Sequence, residues 1–396
     1  MFTRRRFLVP FFAFAASTRS FASWPLHRKK PPAPRAPLRV YFGAGQGIYQ
    51  VRFDVERGEL AAPVLAAKTA RPYYLALSPG SGHRTLYAVN SIHDPAATVT
   101  SFAVDTGTGD LRQIGQVSSG GSVPVYISVD ATGHAAFIAD YFGSAIASYR
   151  IESDGRLGQA SDRIDFRDHE KFGALGPNAA RQDVPHPHCT AISPDNRFLL
   201  VCDLGTDHIS IFQTHPETGQ LSAHTLFTNN RPGSGPRHLA FHPNGRWVYC
   251  ICEIDSTIDR LLWTATRFSN TPQGMLTNTN TTVKTIAPDF PGEKNTAAEL
   301  AISSDGRFLY ASNRGENSLV VFSISGVDGD LTFVQRISCG GWTPNQFVLD
   351  PSAQWLLCGN QDSSTVTIFR RDAATGRLSG PTQTIRLESP MMMLFA

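Results

Sequence analysis

The apolar positions of the chain recur in one unit: a short alternating apolar run, a polar turn built from Pro, Asp, Asn and Gly, and a second apolar run. The clearest copy covers 297–313, where Ala301 and Ile302 lead into Ser303-Ser304-Asp305-Gly306-Arg307 and out through Phe308, Leu309 and Tyr310. Further copies open at Pro72, Pro124, Pro187, Pro236 and Pro344, and a seventh at Pro390 is cut short by the C-terminus. Two apolar runs about such a turn predict a β-hairpin. The openings are spaced by 52, 63, 49, 61, 47 and 46 residues, and two more strand-like stretches, such as 318–324 and 331–337, lie between copies. Four strands in a repeat of about fifty residues is the unit of a β-propeller.

The segment 39–43 reads as the second strand of a hairpin that lacks its first, and 390–395 as a first strand that lacks its second. Joined, they complete a seventh blade and remove the exposed edges that invite aggregation. The expected fold is all-β, a seven-bladed propeller whose last blade is closed by N- and C-terminal strands. Long helical periodicity is absent, so a doubly wound α/β sheet is excluded. The long repeats opening at Pro124 and Pro236 carry extra residues near 168–183 and 270–294, expected as loops that shape one face.

The N-terminus breaks the pattern. Arg4-Arg5-Arg6-Phe7-Leu8 is a twin-arginine motif, followed by an apolar run to Ala16 and the small-residue site Ser20-Phe21-Ala22. This predicts a Tat export signal over 1–22, read by the Tat machinery; the apolar run is about half of what a membrane-spanning helix needs. A Pro-rich, basic linker over 23–37 follows, and the propeller is expected over 38–396. The formal charge of +3 is therefore misleading: four arginines lie before residue 23, five basic residues lie between there and Arg39, and the remaining body carries −6. That balance gives no footing for a nucleic-acid partner. The six cysteines, in an exported protein, have no zinc-ribbon spacing; Cys189 and Cys202 oppose each other in one hairpin, and buried free thiols are expected over a cross-strand disulfide.

Equivalent positions of different blades form rings about the propeller axis. The ring just after the repeat opening reads Tyr73, Val125, His188, Arg237, Ala298 and Asn345; the ring at the end of the second strand reads Ser91, Tyr141, Leu204, Glu253, Arg314 and Gln361. Both lie at the same end of the blades, so His188, Arg237, Glu253 and Arg314 are expected to converge on one mouth of the central channel as catalytic residues. Guanidiniums bind carboxylate or phosphate, while histidine and glutamate offer proton transfer. His186, Asp203, Asn313, Asn360 and Gln361 are candidate substrate contacts, although a polar rim is also ordinary solvation. A metal held by His186, His188 and Asp203 is a weak alternative, and no metal or cofactor is expected. No nucleophile elbow or phosphate-binding glycine loop is present.

The stretches 183–188, 193–195, 203–207 and 235–238 together resemble the lactonase family of seven-bladed propellers, typified by 6-phosphogluconolactonase and carboxymuconate cyclase, from about Val40 to the C-terminus. In the carboxymuconate-cyclase branch the proposed catalytic and binding residues fall, by motif, on His188, Arg237, Glu253 and Arg314. The resemblance implies metal-independent chemistry on a lactone or a muconate-like polycarboxylate. Related sequences commonly carry Pro-Arg where this chain has Pro344-Asn345. Phosphosugars are scarce outside the membrane, so a non-phosphorylated sugar lactone or an aromatic-derived acid suits an exported enzyme. The expected function is hydrolysis of a sugar-type lactone; the alternatives are a cycloisomerase of the carboxymuconate type and a non-catalytic scaffold in the cell envelope.

Overall fold

The second strand of each repeat carries apolar residues on both of its faces, and the fold explains why. In the computed structural model, which describes residues 37–79, 84–93, 96–228, 231–268 and 271–396, these strands are sandwiched between neighbouring blades. Thr85–Asn90, Ala135–Asp140, Phe198–Asp203, Trp247–Cys252 and Trp355–Asn360 are buried along their whole length. The outer strands face solvent on one side and alternate, as Gln220–Thr228 does. The expected export signal at 1–22 and nearly all of the expected linker at 23–37 lie outside the described residues.

Seven antiparallel sheets result. Their inner strands touch in cyclic order: Pro72–Leu77, Pro124–Val129, Pro187–Ile192, Pro236–Phe241, Thr296–Ile302, Pro344–Leu349, Pro390–Phe395 and back to the first. We number the blades one to six from Pro72. Blade seven is closed as expected, with Val40 opposite Phe395 and Phe42 opposite Met393. Its outer strand is split into Glu59–Leu60 and Val64–Lys68, the break falling at Pro63, which has no N–H to give a ladder.

Adjacent blades are tied by a repeated contact. Tyr41, Tyr87, Tyr249 and Tyr310 donate their hydroxyls to the carbonyls of Gly109, Gly155, Gly329 and Gly376, each in the outer turn of the next blade, at 2.6–2.8 Å. These glycines have φ of 72–86°, a left-handed turn that only glycine makes freely.

The two long repeats differ from expectation in one respect. The segment at 168–183 is a loop with a single helical turn, His169–Phe172. The residues near 270–294 mostly extend the outer hairpin of blade four, Thr257–Phe268 against Thr271–Lys284, leaving only the stretch after Lys284 as loop. The Thr-rich alternation there is strand chemistry.

Candidate active site

In all seven blades the innermost strand pair has an irregularity at one place, which in blade seven skips Met391. Pro187 pairs with Asp203 and Cys189 with Cys202, so His188 has no partner in the ladder; Pro236 pairs with Cys252 and His238 with Ile251, so Arg237 is likewise skipped. Tyr73, Val125, Asn345 and the Ala298–Glu299 pair sit at the same break in their own blades. A bulge of this kind re-aims a side chain. It is the backbone reason that His188 and Arg237 leave the blade faces and enter the channel mouth.

The four expected residues do converge. Arg237 Nε donates to Glu253 Oε2 at 2.9 Å, and Arg314 Nη2 lies 2.7 Å from the same oxygen. Arg237 is almost wholly buried, and its Nη1 donates to the Ala298 carbonyl at 2.7 Å. Arg314 also reaches the Ala297 carbonyl at 3.3 Å and Asn345 Oδ1 at 3.4 Å. Burial alone would raise the Glu253 carboxyl, but Arg314, Arg237 and Arg181 hold it well below the usual range. It is therefore ionised and a weak base.

His188 is buried between the rings of Tyr141, edge-on at 5.5 Å, and His238 at 5.1 Å. Burial first, then the positive charge of Arg237 and Arg314, holds its imidazole well below the usual histidine range. Its Nδ1 is buried and has no hydrogen-bond partner among the described residues. An orphaned buried nitrogen costs about 1–3 kcal/mol, and a water or a substrate hydroxyl would satisfy it.

Other candidates serve the scaffold. His186 is buried, stacked on Tyr141 at 4.1 Å, with Nδ1 on the Tyr141 carbonyl and Nε2 on Asp183, both at 3.0 Å. Neither nitrogen is free for substrate or metal. Asp203 accepts from the N–H groups of His186 at 2.6 Å and Gly205 at 2.9 Å. Asn313 donates to the Thr285 carbonyl at 2.9 Å, and Asn360 to the Cys339 carbonyl at 3.4 Å and to Thr367 Oγ1 at 3.1 Å. Fully buried, these three brace the loop entering their blade instead of facing a ligand. Asn90 does the same in blade one, through Thr69 and Thr100. Gln361 is half-buried in blade six at the position that Arg314 takes in blade five. Cys189 and Cys202 are register partners and free buried thiols.

Three contributors escaped the repeat alignment. Arg181, from the inserted loop of blade two, pairs through Nη2 with Glu253 Oε1. His238 and Glu299 lie below Arg237: His238 Nδ1 is 3.2 Å from Glu299 Oε1, and its ring packs edge-on to Tyr126 at 5.1 Å. Burial pushes the Glu299 carboxyl up to about 7 and the His238 imidazole well down.

Residues 38–395 match the model of a protein family described as lactonase, 7-bladed β-propeller. The chain belongs to this family. The lactonase-family chain is 29% identical over 355 residues to the 6-phosphogluconolactonase of Bacillus subtilis, covering 89% of this chain and 95% of that one. It is 31% identical over 339 residues to the 6-phosphogluconolactonase of Formosa agariphila, covering 84% and 91%. Among solved structures, the periplasmic gluconolactonase of Pseudomonas aeruginosa superposes with a TM-score of 0.80 at 28% identity, covering 91% of this chain and 99% of that one.

Proposed function

We propose that this mouth hydrolyses a sugar lactone, with His188 as the base. The observation that carries the reading is a buried histidine, its Nδ1 without a partner among the described residues, beside an arginine–glutamate–arginine group in a lactonase-family propeller. His188 takes a proton from water as the water oxygen adds to the lactone carbonyl. The oxyanion that forms is met by guanidinium N–H groups, Arg314 being the more exposed of the two arginines found by the repeat alignment. Collapse breaks the bond to the ring oxygen, which takes the proton back from the imidazolium. The product is the open hydroxy acid. Arg237, with Nε and Nη1 committed, is a positioning residue: it fixes Glu253 and keeps His188 neutral. Glu253, held ionised, aligns the arginines.

Related proteins act on gluconolactone or its 6-phosphate by name, and a sugar lactone is the substrate class assigned here. The twin-arginine motif, together with the periplasmic relative, supports export; among the described residues no helix is long and apolar enough to cross a membrane. The direct test is hydrolysis of glucono-δ-lactone above its spontaneous rate, which His188→Ala removes. Cycloisomerisation draws on the same cationic mouth, and muconate derivatives assayed in parallel separate the two: turnover of those alone rejects the lactonase reading.

A further inference from the structure

Three guanidiniums converge on the single carboxylate of Glu253, and they differ in depth. Side-chain exposure rises from 1% for Arg237 through 18% for Arg314 to 35% for Arg181. The first two come from blade strands and share Oε2; Arg181 comes from the inserted loop and takes Oε1.

That loop is anchored around Arg181. Buried Gln182 donates to the Leu204 carbonyl at 2.9 Å and accepts from the Asn178 N–H at 3.0 Å. The Gly176 N–H donates to the Gly205 carbonyl at 2.9 Å, and Asp183 holds His186 at 3.0 Å. The backbone on both sides is pinned to blade three, while the Arg181 side chain reaches Glu253 and, at 3.5 Å, the Tyr141 hydroxyl. An arginine presented in this way keeps its place when it exchanges one partner for another.

Charge and space favour such an exchange. Three guanidiniums on one carboxylate leave two positive charges uncompensated within the group, and the nearby Asp183 is turned to His186. On the inner side of Arg237 the cavity lined by Tyr74, His238 and Glu299 holds about 10 Å³, the limit for a single water. A ligand therefore enters from the outer side, where Arg181 is the most exposed of the three cations.

We propose that Arg181 is the specificity arm of the mouth, leaving Glu253 Oε1 to bind an oxyanionic substituent, carboxylate or phosphate, carried by the lactone. This rests on the lactonase reading above. Arg181 trades one oxyanion for another, and Glu253 keeps Arg237 and Arg314, so a charged substrate opens the mouth at little electrostatic cost. A neutral lactone leaves Arg181 on Glu253.

The experiment compares wild type, Arg181→Gln and Arg181→Lys on glucono-δ-lactone, a glucarolactone bearing a free carboxylate, and 6-phosphoglucono-δ-lactone. The charged-group hydrogen bonds lost in Arg181→Gln lower kcat/KM on the anionic lactones that wild type accepts by roughly 10- to 100-fold. The neutral lactone changes by less than about threefold, and Arg181→Lys recovers part of the loss. Which anionic lactone wild type prefers distinguishes carboxylate from phosphate. An equal fall on all three substrates, or no fall on the anionic ones, overturns the proposal. Calorimetric titration with gluconate, glucarate and 6-phosphogluconate decides it independently of turnover. If wild type opens no lactone, the hydrolytic reading fails, yet weaker binding of glucarate or 6-phosphogluconate to Arg181→Gln still supports the arm; equal affinity in the two proteins overturns it.

Discussion

Arg237 and Glu253 face each other at 2.9 Å across the first hairpin of blade four, with side chains 1% and 4% exposed. A buried ion pair is costly to assemble and costly to break, because removing one partner strands the other. The neighbours make this pair asymmetric: Glu253 has three cationic partners, so the carboxylate is the shared member.

Glu253→Gln is therefore expected to destabilise the propeller by about 3–5 kcal/mol and to abolish activity. Denaturant unfolding at neutral pH measures the first. Because the folded carboxyl sits well below its unfolded value, its contribution is complete above the ordinary glutamate range, about pH 4.3, and is lost as pH falls toward the folded value. Wild type and Glu253→Gln converge in stability as the solution is acidified through that range.

The pH profile of hydrolysis should report the buried imidazole. With His188 held well below the usual histidine range by burial and by Arg237, His238 and Arg314, kcat/KM stays flat on acidification through about pH 6.5, where an ordinary histidine base is half protonated. Arg314→Gln removes a positive charge and moves the acid limb to higher pH. A limb centred near 6.5 in wild type contradicts this arrangement.

Most of the fold was legible because a propeller repeats its instructions. Seven openings, the polar turns and the split seventh blade were all written in the alternation, and ring equivalence alone gathered His188, Arg237, Glu253 and Arg314. The same logic also offered Asp203, Asn313 and Asn360, which the structure turns to protein partners at the incoming loops. A polar residue that recurs in nearly every blade answers a need every blade has, here the bracing of the incoming loop; a residue that departs from its ring, as His188 does, is not explained by that need. Arg181 was invisible for the opposite reason. It lies in an insertion with no counterpart in other blades, and the available signal was its place two residues before the Asp183-Val184-Pro185-His186 stretch.

Glu299 gives a stability signature of opposite sign. Burial pushes its carboxyl up to about 7, and its Oε2 has no partner among the described residues. The folded state therefore binds a proton that the unfolded state releases near pH 4.3, and stability is lost as pH rises from there through about 7. Glu299→Gln, which keeps the shape without the charge, raises the thermal midpoint more at pH 8 than at pH 5. A pH-independent difference would show that Glu299 titrates normally.

Gly205 tests the anchoring of the inserted loop. A Cβ there would lie 2.0 Å from the Val184 carbonyl oxygen and 2.9 Å from the His186 nitrogen. Gly205→Ala must displace the 184–186 segment, at a cost of about 1–3 kcal/mol. Turnover of an anionic lactone should fall further than this loss of stability accounts for at assay temperature, since Arg181 moves with the loop, while a neutral lactone tracks the stability loss alone.

The measurement that bears most directly on the catalytic role of the mouth is the initial rate of sugar-lactone hydrolysis followed by pH-stat, with spontaneous opening subtracted, for wild type and a folded His188→Ala protein. A saturable wild-type rate that His188→Ala reduces to the spontaneous level is the predicted result. Equal rates in the two proteins, or no acceleration by wild type with any sugar lactone, contradict it.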